Sequence, residues 1–314
     1  MRKIKALVLL SGGLDSILAV KILKEQKIEV VGLAFKSYFF NEKQAKKAAK
    51  NLRVPLKVID FSKEHLKIVK EPKYGYGKGM NPCIDCHILM LKKAKKIMEK
   101  EKFHFVATGE VLGERPMSQN KRALKLVAEK SSLKNYLLRP LSAKLLEKTI
   151  PEEKGWVKRE KLLDISGRSR KRQIALAKKW KIEYYPSPAG GCLLTDLEFS
   201  KRLRELFEKY PKFKGKDVEL LKLGRHFWEN NVKIVVGRDH QENLKIKKLA
   251  QKGDVLIELK DYSGPTTLIR NYGKGKISKE ILQIAKQKTK FYSKKAKNKK
   301  EVAFLLKTIT NKDT

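Results

Sequence analysis

An unbroken apolar run at residues 6–10 ends on Ser11-Gly12-Gly13, and a helical pattern follows at once, with Leu18, Ala19, Ile22 and Leu23 spaced for one face of residues 15–24. A strand apolar on both sides must be covered on both sides, the condition of a parallel sheet interior. The alternation continues down the chain. Residues 28–35, 56–61 and 103–108 read as further strands, and residues 42–52, 63–69 and 83–100 as helices. Alternating units of this length predict an α/β fold, a doubly wound parallel sheet with helices on both faces.

Beyond residue 121 the pattern loosens. Residues 137–141 read as a strand or loop piece, residues 171–180 as a basic helix, and Pro186-Ser187-Pro188-Ala189-Gly190-Gly191 as a loop leading to Cys192. Three short β candidates follow at 232–237, 255–259 and 266–270, with a helical pattern at 241–250 between the first two. This predicts a smaller α+β domain, with a first domain over 1–205 and a second over 206–314. Residues 274–300 hold eleven lysines and one acidic residue, which predicts a flexible or weakly helical basic tail.

Formal net charge is +40, from 74 Lys and Arg against 34 Asp and Glu. Such an excess implies a polyanionic partner, because cations that neutralise phosphates release counterions. Hydrophobic residues make up 41% of the chain, enough for real cores. No apolar stretch is long enough to cross a bilayer, and the first apolar run is too short for a secretory signal, so a soluble cytoplasmic protein is expected.

The hexapeptide Ser11-Gly12-Gly13-Leu14-Asp15-Ser16 carries the strongest chemical signal. Its glycines let main-chain N–H groups approach an anion, and the helix start adds partial positive charge. Ser11 and Ser16 add hydroxyl donors. The Lys-Ser/Thr ending of a Walker loop is absent. Asp15 would repel phosphate unless it holds Mg²⁺, so a metal-bridged nucleotide is expected.

Cys83 and Cys86 form a CxxC at a helix start, in Asn81-Pro82-Cys83-Ile84-Asp85-Cys86-His87. The helix N-terminus and nearby lysines would favour thiolate. The pair could chelate a metal, form a redox disulfide or simply be buried. Cys192 is the third cysteine, and an odd number argues against a disulfide framework. Three thiols fit a [4Fe-4S] cluster with one open iron, with His87 a candidate fourth ligand. Asp85 could serve as an acid or base beside the sulfurs, or cap the helix. Arg168, Arg170, Lys171 and Arg172 open a basic helix that could clamp an RNA backbone, and Tyr184 and Tyr185 could stack on a flipped base. In the second domain, Arg238, Lys260 and Arg270 lie near glycine turns and could grip phosphates.

The hexapeptide resembles the signature of the PP-loop ATP pyrophosphatases. That resemblance covers about the first 110 residues and includes Ala107-Thr108-Gly109. It implies cleavage of ATP between its α and β phosphates, transfer of AMP to a substrate oxygen, Thr108 and Gly109 at the nucleotide, and Phe35 near adenine. Asn81-Pro82-x-x-x-Cys86 with a later Gly-x-Cys resembles the bacterial tRNA 2-thiouridine synthases, in which many members carry Asp at the position of Cys83. Those enzymes are described as using two cysteines, one as a persulfide carrier. Related three-cysteine tRNA thiolases are described as holding a [4Fe-4S] cluster. Gly237-Arg238-Asp239, Lys252-Gly253-Asp254 and Lys260-Asp261-Tyr262-Ser263-Gly264-Pro265 resemble the NFACT RNA-binding domain.

Together these features predict an ATP-dependent tRNA sulfurtransferase. Asp15, Cys86 and Cys192 would be catalytic, Cys83, Cys86 and Cys192 would hold the cluster, and sulfide or a persulfide carrier would donate sulfur. The alternatives are a cluster-free persulfide thiolase, an adenylating enzyme acting on a carboxylate or small metabolite, and an RNA- or ribosome-binding protein with a vestigial nucleotide site. Neither the oligomeric state nor the modified uridine is legible.

Overall fold

The structure is a computed structural model that describes residues 3–187 and 191–311. It forms two compact units, Met1–Leu197 and Glu198–Thr314. The first unit runs β1 (Lys5–Leu9), α1 (Leu14–Glu25), β2 (Glu29–Lys36), α2 (Lys43–Leu52), β3 (Leu56–Asp60), α3 (Ser62–Lys70), α4 (Cys83–Lys100), β4 (Phe105–Ala107), α5 (Lys121–Lys130), β5 (Leu137–Leu138), α6 (Ile150–Glu153) and α7 (Lys171–Lys179). All five strands are parallel, in the order β3-β2-β1-β4-β5.

Strand β1 is central, and its alternation builds both cores. Ala6 and Val8 point to the side packed by α1, α2 and α7, where Leu18, Ala48 and Ala177 are buried. Leu7 points to the other side, with Leu91 and Ala94 of α4 and Val127 of α5. This is the doubly wound sheet expected from the unbroken apolar run. The strand order reverses between β1 and β4, which opens a crevice at their carboxyl ends.

The second unit runs α8 (Leu197–Lys209), α9 (Gly215–Leu221), β6 (Arg225–Glu229), β7 (Val232–Val236), α10 (His240–Leu249), β8 (Val255–Leu259), β9 (Thr267–Asn271), α11 (Lys279–Phe291) and β10 (Phe304–Thr308). Its five strands are antiparallel, in the order β10-β8-β9-β7-β6. Leu220 and Ile246 pack on one face of this sheet and Ala285 on the other. The basic tail is therefore a correction to the sequence reading. Ser278 caps α11, Ala285 and Thr289 are fully buried, and the Thr289 hydroxyl meets that of Thr267 at 2.7 Å. The units also divide before residue 205, because α8 belongs to the second. Phe207 packs on Phe213, and Lys209 Nζ donates to Asn230 O at 2.9 Å. Lys233 of β7 is wholly buried, with its Nζ 4.2 Å from the Trp228 ring centroid and no hydrogen-bond partner among the described residues.

Candidate nucleotide and sulfur site

The glycine turn at residues 11–16 joins β1 to α1 at the crevice. Gly12 has φ +87°, and a Cβ there would collide with the main chain of Gln44, so only glycine fits. Ser16 Oγ donates to Gly13 O at 2.8 Å and lies 3.3 Å from Ser11 Oγ. No side chain caps the start of α1, which leaves its first N–H groups for an anion. Gly109, just past β4, lies against this first turn. A Cβ on it would come within 2.5 Å of Asp15 C and Ser16 N.

Asp15 sits at the mouth of the turn. Its Oδ1 is buried without a hydrogen-bond partner of ordinary geometry among the described residues, and its Oδ2 is 3.6 Å from Arg170 Nη2. Arg170 Nε is 3.8 Å from Glu114 Oε1. Burial pushes the Asp15 carboxyl above its ordinary value, and Arg170 pulls it part of the way back. Glu114 is also raised, by burial and then by the charge of Asp15. Gln173, fully buried in α7, reaches toward the Asp15 carboxyl and lowers its pKa slightly, although neither of its polar atoms makes a hydrogen bond of ordinary geometry among the described residues. Two raised carboxylates and an orphaned oxygen suit a divalent cation, which would satisfy the oxygen and favour the charged form of both groups. The donor chemistry thus fits Mg²⁺ with oxygen ligands.

A buried ionic chain leads from here to the cysteines. Glu110 Oε2 accepts from Thr108 Oγ1 and from Arg139 Nε, both at 2.9 Å, and Oε1 lies 2.9 Å from His87 Nδ1. Burial alone would raise the Glu110 carboxyl, but Arg139, His87 and Thr108 together hold it well below the carboxylate range. His87, considered above as a fourth cluster ligand, commits Nδ1 to this chain. It also fixes the first turns of α4, where Cys83 and Cys86 lie.

The main chain brings Cys192 to the same place. Leu193 N donates to Phe39 O at 3.0 Å and Met80 N donates to Leu194 O at 3.1 Å, tying this segment both to the end of β2 and to the approach to α4. Asn81 Nδ2 donates to Cys83 Sγ at 3.1 Å. Cys86 feels the charges of both Cys192 and Cys83. Pro188, Ala189 and Gly190 of the preceding loop lie outside the described residues. The expectation that the helix start favours thiolate is corrected. Burial pushes the Cys86 thiol well up and the Cys192 thiol up to about 12, and the neighbouring sulfurs add to it. Asp85 caps no helix. Its carboxylate accepts from Lys73 N and Tyr74 N, each at 3.1 Å, and so anchors the incoming loop.

Other expected site residues divide. Phe35 is 7% exposed and packs on Phe61 at 5.1 Å between centroids, which leaves little of its ring for adenine. Arg168 and Lys171 are exposed, and Arg172 is exposed but paired to Asp164. Arg170 turns inward to Asp15, a nucleotide-side position rather than an outer RNA clamp. In the second unit Lys260 is exposed, and Arg238 is exposed but forked onto Glu242. Arg270 does not fit its expected role. It is 5% exposed, and Asp254, Asp217 and Leu249 O take its guanidinium. The sequence reading missed Glu110, Glu114 and Gln173. An acid directly after Ala107-Thr108-Gly109 was the available signal for Glu110.

A five-stranded parallel sheet in this order, with an uncapped glycine-bent helix start at the switch point, defines a PP-loop nucleotide-binding domain. More particularly, the chain belongs to the family whose model is described as the tRNA methyl transferase HUP domain, which matches residues 4–180. The model described as the NFACT protein RNA binding domain matches residues 224–314. The tRNA-specific 2-thiouridylase MnmA of Karelsulcia muelleri (strain GWSS) is 28% identical over 185 residues, 54% of this chain and 47% of that protein. Its counterpart in Helicobacter acinonychis (strain Sheeba) is 39% identical over 95 residues, 27% of this chain and 28% of that protein. The chain spans about half the length, or less, of these curated relatives. A solved 4-thiouridine synthetase–RNA complex with bound ATP aligns at TM-score 0.43 and 19% identity, covering 69% of this chain and 52% of that one.

Proposed function

We propose that the chain is an ATP-dependent tRNA sulfurtransferase that adenylates a uridine carbonyl oxygen and replaces it with sulfur. The observation that carries this reading is the buried link from the glycine turn to the sulfurs, through Gly109, Thr108, Glu110 and His87. The similarity to 2-thiouridylases supports the choice of substrate.

ATP lies on residues 11–16, with its phosphates on the open start of α1 and Asp15 and Glu114 on the Mg²⁺ side. Asp15 and Glu114 would hold the metal, and Arg170, beside both carboxylates, would then be available to a phosphate. The uridine carbonyl oxygen attacks the α-phosphate, the bond to the β-phosphate breaks, and pyrophosphate departs with the electron pair. The adenylated base then carries AMP, a far better leaving group than an oxide. A sulfur nucleophile adds at that carbon and AMP leaves. The target base must quit its stack to reach this crevice, so an extensive RNA grip is required.

Cys83, Cys86 and Cys192 fit a [4Fe-4S] cluster in donor type and number, and when bound such a group keeps one iron open to a sulfur ligand. A second reading is a two-cysteine relay, which the nearness of Cys192 to Cys86 supports. In that reading the terminal sulfur of a persulfide on Cys86 or Cys192 attacks the adenylated carbon. The other cysteine then attacks the resulting S–S bond and frees the thiocarbonyl. The disulfide left between the two cysteines must be reopened by a thiol reductant.

The test is tRNA incubated with the protein and Mg-ATP, in parallel with sulfide and with a persulfide donor plus a thiol reductant, then digested to nucleosides and analysed by mass spectrometry. A thiouridine that appears with AMP and pyrophosphate and is lost in C192A is expected. Unmodified nucleosides from protein that binds ATP and tRNA overturn the proposal. Iron content and visible absorbance after anaerobic purification separate the two sulfur routes, because a colourless, fully active protein selects the relay.

A further inference from the structure

A second groove runs along α1. It lies over the seam between α1 and α2, is roofed by residues 180–184, and has a volume of about 480 Å³. That volume falls within the range of about 300–1,000 Å³ typical of small-ligand sites. Two aromatic rings line it, Trp180 and the exposed Tyr184, and Lys21, Lys24, Arg53 and Lys181 stand among them against one lining acid, Glu183, with Lys21 also 3.7 Å from Glu25. Lys21 Nζ is 6.0 Å from the Trp180 ring centroid, and Lys47 Nζ is 3.0 Å from that of Tyr184. Tyr184 Oη donates to Gln44 Oε1 at 3.0 Å, and Gln44 is the residue whose main chain presses on Gly12. The Tyr184 end of the groove is thus fixed to the wall of the nucleotide site.

Aromatic faces interleaved with cations are the recognition surface for single-stranded nucleic acid, since every base has a face to stack and every link a phosphate to neutralise. We propose that this groove is a track for an unpaired stretch of RNA leaving the crevice, with a base stacked on Trp180 or Tyr184 and flanking phosphates on Lys21, Arg53 and Lys181. This rests on the sulfurtransferase reading for why RNA should enter the crevice, but not for the binding itself. Paired RNA does not offer these contacts, because its bases are already stacked on each other.

The test is fluorescence anisotropy of a labelled oligouridylate and of a duplex of the same length, with the full chain. The oligouridylate is expected to bind more tightly than the duplex. Y184A, at an exposed ring, should weaken the single strand roughly five-fold or more. W180A should do the same and W180F should restore most of the affinity. The exposed pair R53E and K181E should weaken binding and flatten its salt dependence, with ATP binding and melting temperature unchanged. Because W180A also touches the core, Y184A and the charge reversals decide the matter if W180A misfolds. Parental affinity in Y184A and in the charge-reversed protein overturns the track. Loss of RNA affinity without any thionucleoside product keeps the track and removes the sulfurtransferase reading, and thiolation with unchanged affinity does the reverse.

Discussion

Gly109 carries no side chain because none fits between β4 and the first turn of α1. Adding one methyl would push main chain against main chain, and neither side can yield without moving Asp15 or Ser16. G109A should therefore fold but bind ATP at least about ten-fold more weakly, a cost of the size expected for overpacking, as titration calorimetry would measure. Lys233 offers a second prediction at this scale. Burial leads the lowering of its ammonium to about 7 from an ordinary 10.5. The unfolded chain keeps that proton through the window between these values and the folded chain does not, so stability rises with pH across it. K233M should raise resistance to urea, by more at about pH 6 than at about pH 10, by an amount on the order of a few kcal/mol. An equal gain at both pH values would contradict this. The glycine turn was legible from sequence because its chemistry is local. Arg270 was not, since nothing around it in sequence announces Asp217 and Asp254, which reach it through the fold.

Helix α4 joins the cysteines to the buried polar residues beside the glycine turn. It presents two cysteines at its start, and His87 ties it to Glu110 and through that residue to Arg139. In E110Q the Arg139 guanidinium, 7% exposed, would lose its ionic partner. Breaking a buried pair from one side typically costs about 3–5 kcal/mol, which denaturant titration of the variant should reproduce. Elements with strong periodicity were readable in the chain, including all of β1 to β4. Strands β6 and β10 were not, because each lies at a sheet edge. Arg225-His226-Phe227-Trp228-Glu229 lacks clean alternation, and Phe304 to Thr308 follows a lysine run that reads as solvated. Helix α11 was hidden by the same lysines, although its buried Ala285 and Thr289 hold the spacing of one helical turn.

At the scale of the whole molecule, the charge of +40 is the dominant property. Most salt bridges join residues that are partly exposed, and such pairs contribute little stability, so the surplus of lysine is not explained by pairing. It suits a partner with regularly spaced phosphates. Affinity for tRNA should fall by at least about 100-fold between about 50 and 200 mM salt, and a nearly flat response in filter binding would show that the positive surface serves something else. Among the described residues no helix is long and apolar enough to cross a membrane.

The raised thiols of Cys86 and Cys192 have one more consequence. A protonated sulfur is a poor nucleophile, slow toward peroxide and toward electrophiles alike. At neutral pH burial therefore favours the protonated form of these two thiols. Whatever activates them must withdraw those protons, and the burial that shields the sulfurs from oxidants makes that withdrawal harder.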